Sequence, residues 1–296
     1  MRQFSKICFM VLSLLVASQY IVADDSTSIK SEKEYVVANA TVVPVRENPS
    51  EGAEQATQLL FGEVCEVIEH LPSWTKIRST VDGQEGWVSL RMLTPTATPY
   101  PLPSAVVVTP MATATPVNDG DGAPLLLTLG TRLPKYAHGT FEVLGQPYLI
   151  DSSCVSTGAN ILQRSDLIKM AKSLLNTPYL WGGKNLMGLD CSGFTQVLYA
   201  AMGINLLRNA REQVTQGELV SSLSEGKPGD LAFFDHSDRD PKATRISHVG
   251  MLLSPTEIIH CAGGRVHIDR IDNEGIYLPD GTMTHHLVQI KRYLQH

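Results

Sequence analysis

The hydrophobic pattern of this chain changes once, near Asn160, and this change constrains the fold more than any other feature. Before it, short runs of β-branched and apolar residues alternate with turn residues. After it, three segments with helical spacing are followed by five segments with the pattern of strands. The strand segments are Leu231–Phe234, His248–Leu253, Glu257–His260, Val266–Asp269 and Leu287–Lys291. Helices followed by antiparallel strands predict an α+β domain over residues 160–296.

The helical segments carry end signals. Ser165 is the predicted N-cap of the first helix. The second helix places apolar residues of Phe194–Ala201 on one face and stops at Gly203. Asn209 and Glu212 have the spacing of a capping box, which predicts the start of a third helix.

The chain before residue 160 is predicted to be rich in β-structure. Residues 35–94 show short β-rich runs at spacings of about 8–12 residues, which is typical of a small all-β barrel. A Thr/Pro/Ala-rich stretch, Thr94–Pro103, is predicted to be a linker. Residues 104–155 are interpreted as a second, divergent barrel, and an elaborated hairpin within the linker is the alternative.

Residues 1–23 have the composition of a secretory signal peptide. Arg2 and Lys6 precede an apolar run, Ile7–Val16, and the small residue Ala23 is followed by two aspartates. The apolar run is shorter than the ~20 residues that a membrane-spanning helix needs. The sequence therefore predicts an exported protein, periplasmic or extracellular, without a membrane anchor.

The charge balance excludes nucleic acid and anionic lipid as expected partners. Lys and Arg number 24 and Asp and Glu 30, which gives a net charge of −6, whereas both partner classes bind basic surfaces. Without the signal peptide four cysteines remain, namely Cys65, Cys154, Cys191 and Cys261. They form no C-x-x-C pair, so we expect no structural zinc site. Pairing of Cys65 with Cys154 stays open.

Cys191 is a candidate nucleophile because it lies in the first turn of the second predicted helix, between Asp190 and Ser192. A helix N-terminus carries partial positive charge and unpaired N–H groups, and both favour an anion. A thiol in this position ionises more easily, and the thiolate is the attacking species. From position alone, a buried structural cysteine is an equally good interpretation.

Two histidines could serve that thiol as base and orienting group. His248 opens one predicted strand and His260 ends the next, and the even separation of 12 residues puts both rings on one face of a hairpin. A turn centred on Ser254 would pair residue 248 with 260, and one centred on Pro255 would pair it with 262. Surface histidines, or a metal site completed by His267 and Asp269, are the alternatives.

Several motifs together resemble the NlpC-type cysteine peptidases. They are Tyr179-Leu180-Trp181-Gly182-Gly183, Asp190-Cys191-Ser192-Gly193-Phe194, Pro228-Gly229-Asp230-Leu231, His248-Val249-Gly250-Met251 and Ile259-His260. Strings such as Leu60-Phe61-Gly62-Glu63 and Gly86-Trp87-Val88 resemble bacterial SH3-like domains of cell-wall enzymes. The resemblance implies a papain-like core that follows two SH3-like barrels. Within the family, the chain is similar to γ-D-glutamyl-L-diamino acid endopeptidases, which cleave peptidoglycan stem peptides.

The resemblance also implies catalytic roles. Cys191 would be the nucleophile, His248 the general base and His260 the orienting group, without a cofactor and without a catalytic metal. Tyr179 falls where the family has a tyrosine on the oxyanion side.

The family's substrate-binding positions map onto two parts of the chain. Asp190, Ser192 and Arg208 fall at positions that bind the D-glutamyl group. Asn209 stands where a relative has aspartate, so its contact is less secure than its role as a helix cap. Glu54 and Trp87 are the candidates in the first SH3-like domain for closing the cleft around the free amine of the substrate. A solvated charge and a barrel-core tryptophan are the alternatives.

The sequence therefore predicts a cysteine peptidase that cleaves the γ-D-glutamyl-diamino acid bond of peptides with a free N-terminal L-Ala. Its partners would be peptidoglycan-derived peptides, and the residue after the scissile bond could be lysine or diaminopimelate. An endopeptidase acting on intact cross-linked wall and an acyltransferase on the same scaffold are the alternatives. A purely wall-binding protein would have no use for a cysteine and two histidines in this arrangement.

Overall fold

A computed structural model describes residues 33–97, 99–103, 105–117, 122–158, 162–236 and 245–294. The predicted signal peptide, residues 1–23, lies outside the described residues. Across the part of the chain that is described, no helix has the length and apolar character needed to cross a membrane.

The first block is a seven-stranded antiparallel sheet with the strand order β3-β2-β6-β5-β4-β1-β7. Its strands are β1 Tyr35–Ala38, β2 Val42–Arg46, β3 Gln55–Leu60, β4 Val64–His70, β5 Trp74–Ser79, β6 Glu85–Ser89 and β7 Leu93–Thr96. Side chains of a strand point alternately to opposite faces, and Val43, Val45, Ile77 and Val88 fill the core accordingly. The predicted linker is wrong at its start, because Leu93–Thr96 pairs with β1.

The second block contains a four-stranded antiparallel sheet, in the order β10-β9-β12-β11, and a two-stranded pair, β8 with β13. The strands are β8 Val106–Val107, β9 Met111–Pro116, β10 Leu125–Thr128, β11 Thr140–Val143, β12 Gln146–Ile150 and β13 Val155–Ser156. Leu127 and Phe141 of this block share one buried cluster with Val37 and Phe61 of the first block. The two blocks therefore pack as one β-rich unit.

The third block confirms the predicted order of helices followed by antiparallel strands. Its elements are α1 Arg164–Ser173, β14 Lys184–Asn185, β15 Gly188–Leu189, α2 Cys191–Ala201, α3 Ala210–Gln213, β16 Glu218–Val220, β17 Leu231–His236, β18 His248–Ser254, β19 Glu257–Ala262, β20 Arg265–Ile271, β21 Gly275–Tyr277 and β22 Met283–Arg292. The sheet order is β16-β22-β17-β18-β19-β20-β21, and β21 also pairs with β22. The strands from β17 to β22 therefore form a closed ring.

Helix α2 is the central element of this block. Ten of its eleven residues are buried, and it packs against β18, β19, β14 and α1. The predicted N-cap of α1 is wrong: Gln163, not Ser165, occupies this position, because Asp166 accepts a hydrogen bond from the Gln163 N–H and closes the capping box. Asn209 caps α3 as predicted, since its backbone N–H donates to the Glu212 carboxylate.

Candidate active site

Cys191 is the first residue of α2, and Asp190 is its N-cap. The Asp190 carboxylate accepts hydrogen bonds from the N–H groups of Gly193, at 2.6 Å, and Gly182, at 2.9 Å. A Cβ atom on Gly193 would lie 2.0 Å from the carbonyl oxygen of Gly183, so only glycine allows this approach. These contacts fix the first turn of the helix, and with it the position of the thiol.

The environment of the thiol favours its protonated form. Burial raises the pKa of Cys191 to about 12, and the Asp190 carboxylate adds to this effect. The backbone N–H groups of Val249 and Ser192 donate to the sulfur and act in the opposite direction, as does Arg208. The N–H groups at the helix start thus favour the thiolate, as expected, but burial outweighs them. Ionisation of Cys191 requires a base that takes the proton.

His248 and His260 lie on one face of the β18–β19 hairpin, as predicted. Met251 pairs with Ile259 and Leu252 with Ile258, so the turn is centred on Pro255. His248 Nε2 lies 2.8 Å from His260 Nδ1, and both side chains are buried. The N–H of Val249, the residue after His248, contacts the Cys191 sulfur. The start of β18, where His248 lies, is therefore next to the thiol.

Asp269 on β20 extends this arrangement by one residue. Its Oδ2 lies 3.2 Å from His260 Nε2 and 3.0 Å from His267 Nε2. Burial raises the pKa of Asp269, but the hydrogen bonds from the two histidines outweigh it and hold this pKa well below its usual range. The sequence offered Asp269 only as a possible metal ligand. Its contact with His260 depends on the cross-strand register of β19 and β20, which no local sequence signal reveals.

The hydrogen bonds assign protons to the two imidazoles. An ionised carboxylate only accepts, so His260 Nε2 carries the hydrogen that Asp269 accepts. Burial lowers the pKa of His260, and in its neutral ring Nδ1 accepts the Nε2 hydrogen of His248. The unprotonated nitrogen of neutral His248 is then Nδ1. This order along Asp269, His260 and His248 prepares His248 Nδ1 to accept a proton.

His285 on β22 was not anticipated. Its ring lies against that of His248, with 4.3 Å between the centroids and 31° between the planes. The side chain is buried, and its Nδ1 lies 2.9 Å from Thr284 Oγ1. A single histidine in a strand pattern gives no indication of such a contact, because β22 comes to lie beside β17, the neighbour of β18, only in the folded sheet.

A cavity of about 440 Å³ opens at Cys191. It is lined by Glu47, Ala56, Gln84, Trp181, Asp190, Cys191, Ser192, Asn209, Ala210, Arg211, Arg245, Ile246 and Ser247. The predicted site residues Asp190, Ser192 and Asn209 thus lie around the thiol. Tyr179 is half-buried outside this lining, and burial, with Cys191 and Asp190, raises its pKa. Arg208 lies behind the lining and is fully buried.

Arg208 organises the cavity wall. Its Nη2 lies 2.6 Å from Asp190 Oδ2, its Nη1 donates to Ser192 Oγ at 2.9 Å, and its Nε donates to Thr57 Oγ1 at 2.6 Å. Thr57 belongs to β3 of the first block. The arginine therefore fixes two residues of the cavity and binds them to the neighbouring sheet.

The first block closes one side of this cavity, but through residues other than the predicted ones. Neither Glu54 nor Trp87 is among the described residues that line it. Glu54 is exposed, and Trp87 is half-buried on β6, opposite Arg46. The acidic residue that does line the cavity is Glu47, whose N–H donates to the carbonyl of Glu54 at 2.9 Å. Glu47 and Glu54 thus face each other across the loop that joins β2 and β3.

Polar contacts hold the two blocks in this position. Gln58 Oε1 accepts hydrogen bonds from Lys184 N–H, at 2.8 Å, and from the Asn185 amide, at 2.7 Å. Lys184 Nζ lies 3.3 Å from Glu63, and both side chains are buried. Removal of one partner from a buried ion pair of this kind destabilises a protein by about 3–5 kcal/mol. The cavity wall supplied by the first block is therefore a fixed part of the structure.

The cysteines of the described part of the chain, Cys65, Cys154, Cys191 and Cys261, are all free thiols. Cys65 and Cys154 thus form no disulfide with each other. Within the described ranges, one group of side chains could hold a metal ion, namely His260, His267 and Asp269, whose ligand atoms lie within 4.8 Å of one another.

Comparison with known proteins agrees with these observations. Residues 176–279 match the NlpC/P60 family model, and residues 41–94 match the bacterial SH3 domain model. The chain carries an NlpC/P60 domain behind a bacterial SH3 domain. Residues 176–279 thus match a family of peptidoglycan hydrolases, and the two matched domains suggest extracellular action.

The matches to individual relatives extend beyond the NlpC/P60 domain. A γ-D-glutamyl-L-lysine dipeptidyl-peptidase of Bacillus subtilis is 29% identical over 216 residues, which cover 69% of this chain and 71% of the relative. The enzyme of the same name from Bacillus cereus is 28% identical over 234 residues, or 69% of this chain and 66% of the relative. A crystal structure of an NlpC/P60 family protein from Bacillus cereus has the same fold, with a TM-score of 0.73, 22% identity and coverage of 88% and 99% of the two chains.

Proposed function

We propose that this NlpC/P60 protein is an exported cysteine peptidase that hydrolyses the γ-D-glutamyl-diamino acid bond of stem peptides with a free N-terminal L-Ala, releasing L-Ala-D-Glu. The observation that carries the proposal is the position of Cys191. It begins a buried helix, faces the strand that starts with His248, and opens into a cavity walled on one side by the SH3 domain. A helix that presents cysteine to an antiparallel sheet bearing histidine supports a papain-like core. The sheet of residues 106–156 would be the second SH3-like barrel.

The proposed reaction proceeds through a thioester. His248 Nδ1 accepts the Cys191 proton as sulfur attacks the γ-carbonyl carbon of D-Glu, and the carbonyl oxygen becomes an oxyanion. Tyr179 would lie on the oxyanion side. When the tetrahedral intermediate collapses, the C–N bond breaks and the His248 imidazolium gives its proton to the leaving amine. A water molecule, deprotonated by His248, then hydrolyses the thioester. His260, held by Asp269, orients His248 throughout.

Specificity for a free N-terminus would come from the SH3 domain. Asp190, Ser192 and Arg208 would bind the D-glutamyl group, with Asn209 at the same end of the cavity. Glu47 is the carboxylate of the SH3 domain that lines this cavity, and it would pair with the α-ammonium group of L-Ala. Trp181, which is 58% exposed and lines the same cavity, would supply the aromatic wall that the sequence assigned to Trp87.

The test compares kcat/KM for L-Ala-γ-D-Glu-L-Lys with that for its N-acetylated form, with the products identified by mass spectrometry. We expect L-Ala-D-Glu from the free peptide and nearly no cleavage of the acetylated one. Equal values for the two peptides, together with release of peptides from intact wall, would favour the endopeptidase that acts on cross-linked peptidoglycan. Transfer of the dipeptide to an added amine in preference to water would favour the acyltransferase.

A further inference from the structure

We propose that His260, His267 and Asp269 form a binding site for a divalent transition metal ion such as Zn²⁺, and that occupation of this site switches the peptidase off. The binding part of the proposal stands on the geometry alone. The inhibition part rests on the proposed function.

The three side chains converge because of the register of two strands. His260 on β19 pairs directly with His267 on β20, and Asp269 follows two residues later on the same face. Asp269 Oδ2 lies 3.2 Å from His260 Nε2 and 3.0 Å from His267 Nε2, and the ligand atoms all lie within 4.8 Å of one another. Ligands at about 2.0–2.1 Å from a tetrahedral zinc ion are separated by about 3.3 Å. Small side-chain movements would therefore suffice.

The ring nitrogen of His267 that faces away from Asp269 makes the hydrogen bond expected of a metal-binding histidine. His267 Nδ1 lies 2.9 Å from the carbonyl oxygen of Arg265, and because a carbonyl only accepts, Nδ1 must carry a hydrogen. Metal-bound histidines ordinarily donate their second ring N–H to such a group. In neutral His267 the lone pair of Nε2 then faces the Asp269 carboxylate, so a cation is needed between them. A proton or a metal ion can fill this role.

Solvent has access to this position from one side. The His267 side chain is 23% exposed, whereas those of His260 and Asp269 are 1% and 8% exposed. An ion can therefore enter past His267. Two imidazole nitrogens and one carboxylate oxygen form a ligand set that zinc accepts, with water completing the coordination.

Binding of the ion would rearrange protons along the histidine pair. When the metal takes the lone pair of His260 Nε2, the hydrogen of neutral His260 must reside on Nδ1, which then donates to His248 Nε2 across 2.8 Å. The hydrogen of neutral His248 moves to Nδ1 in turn. The nitrogen that has to accept the Cys191 proton is then occupied. Any proton on His267 Nε2 is released to solvent.

The binding part is tested by calorimetric titration of the full chain with ZnCl₂. Cys191→Ser serves as the background, because it removes the thiol as a competing ligand. We expect one zinc ion per chain and a loss of affinity of at least about tenfold on adding His267→Gln. The matched control is His138→Asn, which removes an exposed histidine at a position with a φ of 49°. This variant should bind zinc with unchanged affinity. Equal affinity with and without His267 would overturn the site.

The inhibition part is tested by hydrolysis of L-Ala-γ-D-Glu-L-Lys with increasing ZnCl₂, followed by excess chelator. For each protein, the hydrolysis rate with zinc is compared with the rate of the same protein in excess chelator. We expect reversible inhibition of the unmodified enzyme and of His138→Asn, and a need for at least about tenfold more zinc with His267→Gln. The same zinc sensitivity in His267→Gln would show that the ion acts elsewhere, for example at Cys191. If the unmodified enzyme does not cleave the peptide, the proposed function fails, while the calorimetry still decides the site.

Discussion

Replacing Asp269 with alanine tests whether the carboxylate acts on catalysis through His260. The change removes the acceptor 3.2 Å from His260 Nε2. A hydrogen bond to a charged group contributes about 1.5–3 kcal/mol, and a factor of ten in rate corresponds to about 1.4 kcal/mol. If this bond is needed to orient the imidazole in the transition state, kcat should fall by about 10–150-fold. The KM should change little, because Asp269 lies outside the cavity lining found among the described residues.

The assay is steady-state hydrolysis of L-Ala-γ-D-Glu-L-Lys by four proteins: unmodified, Asp269→Ala, His260→Ala and the double variant. Residues that act as one unit have non-additive effects. The double variant should therefore be no slower than His260→Ala. Asp280→Ala, which removes an exposed aspartate, is the matched control, and circular dichroism verifies folding. A double variant whose loss equals the product of the two single losses would refute this reasoning.

Three further predictions address the thiol, the amine site and the hairpin. Burial raises the pKa of Cys191 to about 12. In His248→Ala the alkylation rate of this thiol should therefore rise about tenfold per pH unit through neutrality. An alkylation rate that does not depend on pH would contradict the role of His248 as the base. Glu47→Gln should raise KM for the free tripeptide by about tenfold and leave KM for the N-acetylated tripeptide unchanged. Glu54→Gln should change neither KM. The reverse result would assign the pairing with the α-ammonium group to Glu54. In Gly250→Ala the new Cβ would lie 2.9 Å from the Cβ of His260. Urea unfolding should therefore show a free energy of unfolding that is lower by about 1–3 kcal/mol. An unchanged free energy of unfolding would exclude this close contact.

The features that the sequence predicted are those set by short stretches of chain. The helix start at Cys191 and the capping box of Asn209 and Glu212 were read from local sequence, and the structure has helix starts at both. The common face of His248 and His260 follows from strand alternation, whether the turn is centred on Ser254 or on Pro255. These parts of the site required no knowledge of the tertiary fold.

The features that the sequence missed depend on register between distant segments. Asp269 reaches His260 only because residues 260 and 267 pair, and Arg208 is positioned by Thr57, 151 residues away. The position of Glu47 in the cavity lining likewise depends on how the first block packs against the third. The burial that raises the pKa of Cys191 also depends on tertiary packing, which includes the contact of α2 with β18.

The central claim is that Cys191 is the nucleophile of a γ-D-glutamyl peptidase. The most direct measurement is mass spectrometry of the products that the unmodified enzyme and Cys191→Ala form from L-Ala-γ-D-Glu-L-Lys, with Cys261→Ala as the matched loss of a buried thiol. We predict L-Ala-D-Glu and lysine from the unmodified enzyme and from Cys261→Ala, and no product from Cys191→Ala. Turnover retained by Cys191→Ala would contradict the account.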